Sequence, residues 1–245
     1  MFCKKAVREI KEKWKNKLKS SKFLECVFKI VSRIPFNNKI RFSGQNNILR
    51  NNGGAIYKTQ ISVVGDNNKI IIDPMVRINK CRIVIHGNGN VIHIKEMSFM
   101  EDVGICIDFN GNEVAIGERT ILNKECHISC MEGKKVVIGD DCLFSAGIIC
   151  RTGDSHSIVN TEGIRLNYSK DIEICNHVWV GMNVSFLKGA SVPENSVVAM
   201  GTIVTKKFNK SGIVLAGNPA KIVKENINWR SELILENDCY KSGLE

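Results

Sequence analysis

Large aliphatic residues recur along this chain at a fixed step of six, and that rhythm constrains the fold more than any other feature. Ile174, Val180, Phe186, Val192, Val198 and Val204 form the longest run. Shorter runs precede it: Ile72, Ile78 and Val84; Ile94, Met100 and Cys106; Ile116, Leu122 and Ile128; Ile138, Phe144 and Cys150. Four residues after these starts stands a second, smaller residue, as at Thr120, Cys126, Cys142, Val178, Val184, Ala190, Ser196 and Thr202. Gly117, Gly139 and Gly181 follow directly behind an aliphatic. Helices repeat near 3.6 residues and half-buried strands repeat every two, so a sustained period of six fits neither an amphipathic helix nor a sandwich. It fits a coil of short strands and turns, with three hexads closing one triangular rung of 18 residues. The fold class is therefore all-β, a parallel β-helix whose aliphatics fill the prism.

Two departures from the 18-residue rung carry information. Asn68, Asn90 and Asn112 stand 22 apart, as do Ile72, Ile94, Ile116 and Ile138. Four extra residues per early rung are expected at a turn, and the NGN sequences suit it because Asn and Gly accept positive φ. From Ile138 to Ile174 the step is 36, so 18 residues are inserted within about 151–173. The insertion opens with RTGDSHSIVN. A polar loop raised on a rigid scaffold is where function is commonly carried. After Val204 an AGNP turn leads to a short strand, then to an expected C-terminal helix from about Lys224 that covers the open end. The organisation is thus a helical segment over 1–43, the β-helix over 44–223 and a cap over 224–245.

The first segment is basic. Residues 4–33 hold eleven Lys/Arg against Glu9, Glu12 and Glu25, a net of +8 out of +10 for the chain. Val7, Ile10, Trp14, Leu18, Leu24, Val27 and Val31 keep a helical period up to Pro35. One reading is an amphipathic helix that touches anionic lipid or an acidic polymer. The other, slightly favoured, is a helix packed on the domain with its charged side in water. No run of about 18 apolar residues and no signal peptide is visible, which points to a cytoplasmic protein, with peripheral contact at the inner membrane face as the variant. The ten cysteines include no CxxC pair and several occupy small core positions, so they read as reduced thiols. His86, His93, His127 and His177 fall at or near turns and read as structural; no HxxxH pair offers a metal site. No nucleic-acid reader motif accompanies the basic segment.

Three stretches together, VVIGDDCLFSAGIICRTGDSHSI, IEICNHVWVGMNVSFLKGASVPENSVVAMGTIVTKKF and VLAGNPAKIVKENINW, resemble the hexapeptide-repeat acyltransferases. The resemblance is tight over residues 114–229 and looser over 44–113. Its DSHSI loop and terminal NINW are similar to the branches that O-acetylate sugars of capsules, surface polysaccharides or polysialic acid. The resemblance implies a left-handed β-helix, a homotrimer with sites between neighbouring prisms, and acetyl-CoA as donor. It implies His156 as the catalytic histidine and Trp179 as the aromatic beside the acetyl and acceptor pocket. Gly181, Ala199 and Gly201 match the strand edges that hold the pantetheine arm, and Lys206 and Lys221 match basic positions near the CoA phosphates. Cys175 stands where the family prefers Gly or Asp, and a second catalytic residue would have to be Asn123 or His127.

The chemistry suits these residue types. An alcohol is a poor nucleophile, and a positioned histidine with a reference pKa near 6.5 can take its proton. Main-chain N–H groups around Ser145–Gly147 are candidates for holding the oxyanion. Asp154 either orients the imidazole or caps a turn, the latter preferred; Arg165 and Asn167 are candidates for contacting an acidic acceptor. N-acetylation of an amino sugar would use the same base and donor. A zinc enzyme on this fold needs convergent histidines the chain lacks, and a non-catalytic scaffold trimer would not need the loop histidine.

Overall fold

A computed structural model describes residues 37–235. The basic amphipathic segment therefore lies outside the described residues, apart from Lys39–Ser43, which is the first strand. Successive short strands turn from one face of a triangular prism to the next. Among the described residues the result is three sheets of eight, seven and nine strands, parallel throughout except for the last strand of the third. This is the left-handed parallel β-helix that the hexads call for. Among the described residues no helix is long and apolar enough to cross a membrane.

Registers explain the hexad rhythm. Ile72, Ile94, Ile116, Ile138, Ile174 and Val192 stack in register on the seven-stranded face. Ile78, Met100, Leu122, Phe144, Val180, Val198 and Leu215 do the same on the nine-stranded face. All of these are buried, as are all eight of the smaller second positions. Close packing inside a prism this narrow leaves no room for larger side chains there.

The third face corrects two assignments. Val84 and Cys106 are not core residues: they point outward and are half-buried, while Ile83, Ile85, Ile105 and Ile107 fill the interior. The wider early rungs carry five-residue strands on this face, and a one-residue offset sends every side chain to the other side. The offset ends at the next rung, where Ile105 pairs with Ile128 across a step of 23.

The Asn/Gly sequences do supply the longer turn, with positive φ at Asn67, Gly89 and Gly111, and the asparagines at its end, Asn68, Asn90 and Asn112, are almost fully buried. Each side-chain oxygen accepts from both the backbone and the side-chain amide of the next asparagine, at 2.8–3.0 Å. The third step, from Asn112, ends on the Lys134 N–H at 3.0 Å. A wide corner cannot close its backbone hydrogen bonds by strand pairing alone, and the amide ladder satisfies them.

The seven described cysteines are all free thiols, as the reduced reading requires. Burial pushes Cys81 and Cys126 up to about 11 and Cys130 and Cys142 up to about 12, which keeps them protonated and inert. At the far end, Val214–Ala216 turns back on Lys221–Lys224 as an antiparallel pair. The helix expected from Lys224 is absent over residues 225–235; residues 236–245 lie outside the described part. Here Ile227 N–H donates to Gly212 O at 2.9 Å. Trp229 lies flat on the His177 ring at 4.4 Å between centroids, with its indole N–H on His177 O at 2.7 Å. Over the described residues a hairpin and an aromatic clasp lie against this end of the solenoid.

Candidate active site

The insertion leaves the prism after the strand Ile149–Arg151 and returns at Ile172–Ile174. It stands on the edge between the eight- and seven-stranded faces. Its base is sewn to the rung below: Thr152 N–H donates to Ser129 O, Thr152 Oγ1 accepts from Met131 N–H at 2.9 Å, and Lys170 N–H donates to Thr152 O. Gly153 is required there, because a Cβ would lie 2.2 Å from Ser169 Oγ and 2.8 Å from Met131 Sδ. Val159 and Arg165 bridge antiparallel, folding the tip into a narrow hairpin.

Asn167 holds the loop from inside. It is 7% exposed. Its amide nitrogen donates to His156 O and to Asp154 Oδ2, both at 2.8 Å, and its oxygen accepts from Ile158 N–H at 2.7 Å. Asp154 also takes a close ion pair from Lys188 on the next rung, which holds its carboxyl below the usual range. Arg165 makes a two-pronged contact with Glu132 at 2.7 and 3.1 Å. The Arg165 guanidinium, with help from Ser169, pulls the Glu132 carboxyl down to about 2. Thus Asp154, read from sequence as a turn cap, and Arg165 and Asn167, read as candidate acceptor contacts, form one network that shapes the loop. Asp154 does not touch the His156 ring. His156 itself is exposed, beside Ser155 at φ 64°, and no side chain among the described residues hydrogen-bonds its imidazole.

Glu132 and Lys188 escaped the sequence reading because their partners lie 33 and 34 residues away, and neither keeps a period. The clamp gives a testable acid response. A carboxyl whose folded pKa is depressed supports the loop above its ordinary value of 4.5 and loses that support as pH falls towards about 2. Glu132→Gln is expected to speed proteolytic cutting of the 152–171 loop at neutral pH by about fivefold, the scale of a partly exposed bidentate pair. In the unmodified protein, the cutting rate should rise to the same level only below pH 4.5.

The remaining candidates lie elsewhere on the prism. Trp179 starts a strand of the nine-stranded face, 41% exposed and tilted against Trp229 at 6.2 Å. Gly181, Ala199 and Gly201 follow on the edge beyond that face, with their N–H groups bonded to Val198, Leu215 and Met182 carbonyls. A Cβ on Gly201 would meet open space. Lys206 is exposed on the loop's own edge, further along the axis, and Lys221 starts the last strand. One chain therefore unites the loop residues but leaves His156 and Trp179 on different edges. Of the N–H groups over 145–147, those of Ser145 and Gly147 are bonded to Val180 and Lys124 carbonyls, while Ala146 N–H has no backbone acceptor among the described residues and is the candidate that remains. Asn123 gives its amide to Phe144 O at 2.7 Å. His127 stands on the outer eight-stranded face, in register with Gly104 and Ile149, its pKa lowered by partial burial and then by Arg151. Among the described residues no cluster of His, Cys, Asp and Glu could hold a metal.

No family model matches the chain. It is 41% identical over 107 residues to the polysialic acid O-acetyltransferase of Escherichia coli O1:K1 / APEC, covering 42% of this chain but only 34% of that relative. Two solved structures match far more completely. The polySia-specific acetyltransferase NeuO superposes with a TM-score of 0.70 and 33% identity, over 82% of this chain and 92% of that one. The polysialic acid O-acetyltransferase OatWY gives 0.58 and 32%, over 85% and 94%. Prism, loop and likeness together define an acyltransferase of the β-helix class, and the chain belongs to the hexapeptide-repeat acetyltransferases, alongside enzymes directed at polysialic acid.

Proposed function

We propose that this chain transfers acetyl from acetyl-CoA to a hydroxyl of an acidic surface or capsular polysaccharide, with sialic acid polymers as the favoured acceptors. The observation that carries this reading is His156, an imidazole without a hydrogen-bond partner among the described residues, presented by a loop whose backbone is pinned by Asn167 directly behind it. An unpartnered ring on an anchored backbone is arranged to meet a substrate. His156 takes the proton of the acceptor hydroxyl as its oxygen attacks the thioester carbonyl. The tetrahedral adduct collapses, the C–S bond breaks, and the imidazolium returns the proton to the CoA thiolate. His127, facing outward below the loop, is the second residue of the site in this reading, ahead of the backbone-bonded Asn123.

Acetyl-CoA is held along Gly181, Ala199 and Gly201, where the open space beside Gly201 lets a chain pass close to the backbone, with Lys206 and Lys221 towards its phosphates. Trp179 borders the acetyl group. Since His156 and Trp179 occupy different edges, the site is completed between two copies, as a homotrimer allows. The loop's exposed Ile158, Ile164, Leu166 and Tyr168 support such a contact, because each is about 60% exposed in a single chain.

The test is thiol release from acetyl-CoA by the purified protein with sialylated, neutral and amino-sugar acceptors. Release that depends on a sialylated acceptor supports the reading. Release only with an amino sugar moves it to N-acetylation, and a folded protein with neither CoA binding nor release leaves a scaffold.

A further inference from the structure

We infer that the edge between the nine- and eight-stranded faces, in the first rungs, is a docking track for an anionic polysaccharide chain, apart from the His156 loop; this deepens the acetyltransferase reading and rests on it. Residues 37–82 hold eight Lys/Arg and two Asp, a net of +6, whereas residues 83–245 hold sixteen Lys/Arg and twenty Asp/Glu. The near balance of the chain beyond its N-terminal segment thus hides a separation along the axis.

The fold gathers four of those eight cations, Lys39, Lys58, Lys80 and Arg82, on one edge, with Arg77 at the other end of the adjoining three-residue strand. Lys58 and Lys80 occupy equivalent left-handed corner positions, at φ 49° and 55°, and Lys80 N–H donates to Tyr57 O at 2.9 Å, so the corners stack. Parallel strands set such corners about 4.8 Å apart. Arg82 aligns with Gln60, and Gln60 with Lys39, beside the corner on the eight-stranded face; Arg77 stands on the nine-stranded face in register with Phe99. Lys58 lies over the Tyr57 ring and Arg77 over the Phe99 ring, each about 5 Å from the centroid, so both charges are held against the surface. All five are exposed, and no acidic group among the described residues lies in ion-pair range of them. Further along the prism Lys95, Arg119, Lys135, Arg165, Lys188 and Lys210 are all paired. The next corner positions, Asp102 and Glu125, are acidic and end the track.

Like charges crowded without partners favour a ligand of opposite sign. The N-terminal segment cannot be that ligand, because it carries +8. A single small anion would gain little, since each exposed contact is weak and screened. A polymer with a carboxylate on every residue makes several such contacts at once.

The test uses the full-length protein with Lys58, Arg77, Lys80 and Arg82 all changed to Gln, alongside a Lys124→Gln/Lys134→Gln control elsewhere on the prism. Binding is titrated without acetyl-CoA, using long and short sialic acid oligomers, neutral dextran, and single-stranded DNA of equal charge. The quadruple variant should bind the long oligomer about tenfold or more weakly, while the control binds as the unmodified protein does. Its KM should rise for the long acceptor only, with kcat kept. Unchanged affinity for the long oligomer, an equal loss in the control, or equally tight DNA binding overturns the proposal. His156→Ala should bind the long oligomer normally. If binding follows the charges but no turnover is found, the track stands and the acetyltransferase reading falls.

Discussion

His156→Ala is expected to lower turnover of acetyl-CoA with a sialylated acceptor by about 10²–10⁴-fold, the usual contribution of a positioned general base. Affinity for acetyl-CoA and the thermal midpoint should stay unchanged, because the ring is exposed and hydrogen-bonds to no side chain among the described residues. The loss should therefore fall on kcat. Asn167→Ala separates the base from its support. It removes the amide that holds His156 O and Asp154 and leaves Ile158 N–H without its acceptor. That variant should lose activity while its loop becomes more susceptible to protease, whereas His156→Ala should leave cutting as it was. If His156→Ala loses less than about tenfold, the base is elsewhere, and His127 is the next imidazole to test.

How far the sequence reaches is clearest at Phe144 and Asp154. Phe144 keeps the six-residue phase, and its burial at 1% follows, because the interior of a prism repeats and registers are set locally. The phase was misread only at Val84 and Cys106, where wider rungs add residues to the strand as well as to the turn. Asp154 shows the other limit. Its place in the loop was legible, and the loop's extent was given by the step from Ile138 to Ile174. Its partners were not: Lys188 comes from the next rung and Asn167 from the returning arm. Contacts inside an insertion obey no period, so the bonds by which Asp154, Arg165 and Asn167 frame the loop could not be read from the sequence. The aromatic clasp is invisible to the sequence for a similar reason. Trp229 and His177 stack across 52 residues, and nothing local marks that pair.

Asn90→Ala should be the most damaging single change outside the loop, costing about 3 kcal/mol or more in denaturant unfolding. The prism carries two amide ladders on one corner, and they differ chiefly in burial. In the outer one, Asn88 Oδ1 accepts from Asp66 N–H at 2.7 Å in exposed surroundings. In the inner one, Asn90 Oδ1 accepts from the N–H and side-chain amide of Asn112 at 2.8 and 2.9 Å, and its own amide donates to Phe109 O at 3.0 Å, with Asn90 at 0% exposure. Truncating Asn88 lets water replace the lost acceptor, so Asn88→Ala should cost under about 1 kcal/mol. Truncating Asn90 strands the buried N–H and side-chain amide of Asn112 and opens a cavity. Asn90→Asp would restore the acceptor but not the donor and would bury a charge, so it should not rescue. Equal losses at Asn88 and Asn90 would mean that the inner ladder is no more than a turn preference, and that the wide rungs close by backbone geometry alone.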